Sequence, residues 1–114
     1  MMIATHLHDP EDEGHVRQIQ VPPLLEFWAG HPSAVIVGDF NAIPSDPEIR
    51  MMLDAGLIDS FAEAGTGQGY TFASNELRKR IDYIWVSPDL TPSDVTIPQS
   101  TASDHLGVVV TVER

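Results

Sequence analysis

Residues Ala34–Ala42 read AVIVGDFNA, and this stretch decides the fold. An apolar run from Ala34 to Val37 continues through Gly38 and Asp39 to Phe40, the pattern of a β-strand, and a turn containing Pro44 closes it. Side chains alternate along a strand, so Asp39 and Asn41 project to one side while Phe40 points to the other. A carboxylate and an amide thus stand together where a strand becomes a loop, placed to orient a nucleophilic water and to donate to a phosphoryl oxygen. The competing reading is a plain turn, a frequent task for both residue types.

Working outward, Met2–Leu7 reads as a first strand, followed by an acidic loop, His8–Gly14, whose charges face water. A helical stretch follows over His15–Ala29. Pro22 and Pro23 interrupt it, and because proline lacks a donor and clashes inside a helix, the regular helix is expected to begin near Pro22. Downstream of AVIVGDFNA, Ser45 or Asp46 can cap a helix, Pro47 and Glu48 suit its first turn, and Gly56 stops it. Tyr70–Ala73, Arg80–Ser87 and His105–Glu113 then read as strands, with Asp94–Ile97 a weaker edge strand beside two prolines. The pattern is a single mixed α/β domain with its helices on one face of the sheet. The runs AVIV, IDYIWV and LGVVVTV do not alternate between apolar and polar, so the other sheet face is expected to be covered too. Two short helices cannot do both; a second copy or a further segment is expected there.

Composition narrows the chemistry. A chain of 114 residues supports one core, and no apolar run approaches the roughly 18 residues of a membrane span. With no cysteine, a metal would need oxygen or imidazole ligands, and the redox compartment stays open. Seventeen acidic residues against six basic ones give a formal charge of −11, which repels a phosphate backbone and favours a small or lipid phosphate ester over long nucleic acid, without excluding the latter.

Three further stretches carry chemistry. In SDHLGV, Ser103–Val108, Asp104 can meet a cation while His105 exchanges a proton near neutral pH. In RIDYIWV, Arg80–Val86, Asp82 is a lone carboxylate in an apolar strand, and burying it costs several kcal/mol unless it has a partner such as an imidazole. The alternative partner is Arg80 or Arg78. In THL, Thr5–Leu7, His6 takes the face opposite Thr5 and Leu7. THL and GDFN close their strands whereas IDY and SDH open theirs, so all four reach one rim only if the first pair runs antiparallel to the second.

THL, GDFNA, IDYIWV and SDHLGV, in this order, resemble the C-terminal motifs of the endonuclease/exonuclease/phosphatase family, also called DNase-I-like. The resemblance takes in Arg17 and Gln18, GLID at Gly56–Asp59 and YTF at Tyr70–Phe72, nearly the whole chain. It implies half of a four-layer α/β-sandwich and a metal-dependent hydrolase, a phosphodiesterase, nuclease or phosphatase. It also implies roles: His105 near the attacking water or phosphate as base or stabiliser, Asp82 as its orienting carboxylate, and Asp39 positioning the nucleophile. Asn41 and His6 would donate to phosphate oxygens, and Asp104 with Asp39 would hold magnesium, or manganese in its place. Family members also carry an N-terminal half with an asparagine motif and a metal-binding glutamate, neither of which stands in residues 1–114. The resemblance therefore implies either an impaired hydrolase, or a catalytically silent half-domain serving assembly, or a gene fragment.

Overall fold

A four-stranded sheet carries the molecule, in the spatial order β1 (Met2–His6), β2 (Val35–Asp39), β4 (Asp82–Val86) and β3 (Ile58–Asp59). These coordinates are a computed structural model that describes residues 1–9, 13–73, 79–100 and 102–114. β1 and β2 are parallel, which requires a crossover, and α1 (Gly14–Trp28) provides it. β4 runs antiparallel to both β2 and β3. The antiparallel relation that the motif order demands is therefore present between GDFN and IDY. Gly38 makes the β1–β2 approach tight: it lies at φ +157, and a Cβ there would overlap the backbone carbonyl of Thr5.

One face of this sheet holds the core. Ile36, Tyr83 and Trp85 are buried beneath Val21 and Trp28 of α1 and Ile49 and Met52 of α2 (Pro47–Asp54), which are likewise buried. Phe40 meets Tyr83 edge-on at 5.5 Å and Tyr83 stacks on Trp85 at 5.4 Å, geometries that aromatic pairs prefer. Arg17 on α1 and Glu48 on α2 form an ion pair at 2.7 Å with both side chains 1% exposed, joining the two helices. The opposite face presents Val35, Val37 and Ile84, half-buried, across an apolar cleft of about 440 Å³ from Val108, Val110 and Val112. Both sheet faces are thus apolar, as the unbroken runs imply.

Several elements differ from the sequence-based expectation. α1 runs unbroken through Pro22 and Pro23. Both prolines and the residues four positions earlier, Gln18 and Ile19, are exposed, so the carbonyls that lose their donors face solvent. Tyr70–Ala73 is not a strand: Phe72 makes only isolated bridges to Lys79 and His105. The last strand, β6 (Val109–Glu113), begins four residues after His105 and pairs with β5 (Thr91–Thr96) in a separate two-stranded sheet. The edge strand expected over Asp94–Ile97 begins earlier, because Pro92 stands at an edge where its missing donor costs nothing. β3 and α3 (Ser60–Ala64) are additional; Asp59 caps α3 by accepting from the backbone of Phe61 and Ala62.

Candidate active site

The register of the sheet lines up three of the motif residues. His6 pairs with Asp39 across β1 and β2, and Asp39 pairs with Asp82 across β2 and β4. Strand partners in register share a face, so three polar side chains emerge side by side at one end of the uncovered face. His105 arrives from outside this sheet, on the segment bridged to Phe72, and places its ring over them.

The distances define a chain of polar contacts. His105 Nδ1 lies 2.7 Å from Asp82 Oδ2, and its Nε2 lies 3.5 Å from Asp39 Oδ2. On the other side, His6 Nε2 stands 3.6 Å from the same Asp39 oxygen. Asp39 is thus flanked by two imidazoles, while its Oδ1 accepts from the backbone N–H of Asn41 at 2.8 Å. Asn41, at φ +48 and buried, donates its side-chain amide to the carbonyl of Leu7 at 2.9 Å, tying the end of β1 to the loop after β2. Asn41 thus forms the turn of the competing reading while standing beside the other motif residues. Asp82 pairs with the imidazole of His105, whereas Arg80 pairs with Asp59 at 2.9 Å; Arg78 lies outside the described residues.

A cavity of about 260 Å³ opens here, lined by His6, Asp39, Asn41, Asp104 and His105. Asp104 is exposed at its edge, and Ser103 accepts from the backbone of His105 at 3.2 Å. Besides the strand residue Ile81, two lining residues had no such role in the sequence reading. Asp9 belongs to the loop expected only to face water, and Phe72 packs its ring 4.8 Å from that of His105. The only sequence signals for them are a carboxylate three residues after His6 and an aromatic residue ahead of the Arg80–Ser87 strand.

Electrostatics follow from the crowding. Burial holds the carboxyl of Asp39 above the usual carboxylate range; the amide of Asn41 pulls it down, and the neighbouring charge of Asp82 pushes it up again. Burial disfavours the charged ring of His105, but its hydrogen bond to Asp82 and the charges of Asp82, Asp39 and Asp104 together outweigh that cost and raise it above the ordinary histidine value. Asp39, Asp82 and His105 offer ligand atoms within 4.8 Å of one another, the composition of a divalent-cation site.

Comparison with known proteins bears on this geometry. The model of the "Endonuclease/Exonuclease/phosphatase family" matches residues 3–105. No curated protein matches the chain. Among solved structures, an endonuclease/exonuclease/phosphatase family protein from Bacteroides thetaiotaomicron superposes with a TM-score of 0.80 at 22% identity, over 97% of this chain and 48% of that one. A mannosyl-6-phosphatase from the same organism gives 0.70 at 21% identity, over 99% and 51%. The 3′ phosphatase NExo from Neisseria, bound to product DNA hairpin, gives 0.74 at 22%, over 99% and 61%. At these identities the likeness concerns the fold, and the chain spans about half the length of the first two structures.

Proposed function

Since the chain belongs to the endonuclease/exonuclease/phosphatase family, we propose that it hydrolyses a phosphate ester, monoester or diester, by in-line attack of water within the Asp39–His105 cavity. The observation that carries this reading is the continuous contact from His6 through Asp39 and His105 to Asp82, with His6, Asp39 and His105 lining one cavity and Asp82 holding the imidazole of His105 from behind. Asp39, its carboxyl raised by burial, accepts the proton of water as the oxygen bonds to phosphorus and the ester bond opposite breaks. The departing alkoxide is protonated from solvent. His105, held toward its cationic form by Asp82, stabilises charge growing on the phosphoryl oxygens, and the exposed ring of His6 donates to the same oxygens. This favours the stabilising role for His105 over that of general base. Asn41 keeps its second amide hydrogen for the phosphoryl group, since one bond to Leu7 does not exhaust its donors.

The donor set fits a hard divalent cation on one side: Asp39 and Asp104 line the cavity with carboxylate oxygens, the ligands that magnesium or manganese takes alongside water and phosphate. Such an ion, when bound, supplies positive charge to the phosphoryl oxygens. The charge of −11 supports a small or lipid phosphate ester, with nucleic acid as a weaker candidate. A second reading, a silent half-domain whose uncovered face joins a second copy or a further segment, is favoured by the apolar cleft beside Val35 and Ile84. Turnover of bis(p-nitrophenyl) phosphate in magnesium separates the two: the chain is expected to hydrolyse it and His105→Ala to lose that activity. Equal turnover in the variant would overturn the assignment, and no turnover in a folded parent would favour the silent half-domain.

A further inference from the structure

The short segment Tyr70–Phe72 has a cavity at each end. Phe72 lines the catalytic one, and Tyr70 lines a second of about 440 Å³. The other wall of the second cavity comes from Thr96 and Gln99, on the stretch that leads into Asp104 and His105. Each wall is thus followed within a few residues of sequence by residues that line the hydrolytic site. In a chain with 17 acidic residues, the described residues that line this cavity are all uncharged.

What they offer instead is neutral hydrogen bonding. Gln68 and Gln99 present amides, Thr66, Thr96 and Tyr70 present hydroxyls, and Phe61 provides a ring. That ring is fixed: a Cβ at Gly65 or Gly69 would overlap it, and the guanidinium of Arg80 lies over it at 5.2 Å. One wall is thus rigid before any ligand arrives, which lowers the cost of binding.

We propose that this cavity binds the uncharged, hydroxyl-bearing alcohol portion of the ester, a sugar or polyol group, while the phosphoryl group occupies the adjoining site. The proposal rests on the hydrolytic reading above and names its substrate class. Amides and hydroxyls can each both donate and accept, which matches a group that carries several hydroxyls. A nucleic-acid strand would call for lysine or arginine along its backbone, and the described lining residues include neither. A lipid tail would call for an apolar groove, whereas here Val95, Ile97 and Phe61 alternate with amides and hydroxyls, the mixture that suits a sugar's apolar and hydroxyl-bearing faces.

The test uses the whole chain and two phosphate-free probes, myo-inositol and methyl glucopyranoside, titrated while the side-chain amide signals of Gln68 and Gln99 are followed by NMR. Both signals are expected to shift saturably, and the Gln68→Ala/Gln99→Ala variant to bind about tenfold more weakly or worse, the loss expected of two neutral hydrogen bonds. Both glutamines are exposed, so the variant should keep the parent's thermal melt. Absence of a saturable shift with either probe, undiminished binding in the variant, or preferential shifts with a single-stranded oligonucleotide would each overturn the proposal. Inorganic phosphate, followed separately at the rings of His6 and His105, reports on the hydrolytic reading. Failure there with polyol binding intact removes the ester chemistry and leaves a polyol site; polyol failure with phosphate binding intact removes only the present inference.

Discussion

Asp39 is held in an environment that opposes its own charge. Because its folded-state pKa is raised, folding favours the protonated form, and the carboxylate present at neutral pH costs stability that is retained only toward acid. Asp39→Asn keeps an oxygen to accept from the Asn41 amide but removes the charge beside Asp82. The variant is expected to be more stable than the parent to urea at neutral pH, by on the order of 1 kcal/mol, and inactive. A destabilised variant would show that the carboxylate holds the site together rather than straining it. His105 has a raised pKa as well: its contribution to stability is complete below the unfolded histidine value near 6.5 and is lost as pH rises through the higher folded value. With Asp39 acting as the anion and His105 as the cation, the rate is expected to follow a bell. Its acid limb lies above the ordinary carboxylate range and its alkaline limb above about 6.5, and a single acid limb running flat to high pH would instead make His105 the base. These residues were legible from sequence because each stands out chemically against its strand, as Asp82 does in IDYIWV. Asp9 and Phe72 were not, since a carboxylate in an acidic loop and an aromatic residue in a short segment look the same whether or not a cavity opens beside them.

At the scale of elements, sequence reading succeeded where one strand or helix carries its own pattern and failed where tertiary context decides. β2 announced itself through AVIV, and Gly56 marked the end of α2. α1 was misread because the effect of Pro22 and Pro23 depends on whether the freed carbonyls reach water, which only packing decides. The same packing buries the Arg17–Glu48 pair between α1 and α2, and Arg17 donates further to the carbonyl of His8, just past β1. The backbone N–H of His8 is bound in turn by Gln20 at 2.8 Å, so α1 fixes the loop that carries Asp9. Glu48→Leu alone removes the 2.7 Å ion pair from a buried guanidinium and is expected to cost about 3–5 kcal/mol in chemical denaturation. Adding Arg17→Met should recover much of that loss, because an apolar pair of similar volume can replace a buried ion pair. A double variant no more stable than the single one would mean that other contacts of Arg17, the bond to His8 among them, join these elements more than the ion pair does.

At the scale of the whole molecule, the sheet has a core on one side and an apolar cleft on the other. Val35, Val37 and Ile84 of the sheet look across it to Val108, Val110 and Val112, and Val109 beside them is 54% exposed. A contiguous apolar cleft open to solvent is the mark of an interaction site, and its position bears on the proposed hydrolytic site: His6, Asp39 and Asp82 emerge from this same face at one end. Whatever covers the valines therefore also borders the cavity. If a second copy does so, sedimentation velocity should show a mass that rises with concentration, and Ile84→Lys, a charge on the uncovered side, should return the chain to a monomer while sparing the helix-covered core. Phosphoesterase activity should rise with the associated fraction and fall in that variant. A parent that stays monomeric at high concentration, with activity proportional to protein, would remove the second copy and require that the face be met by a further segment or stay open.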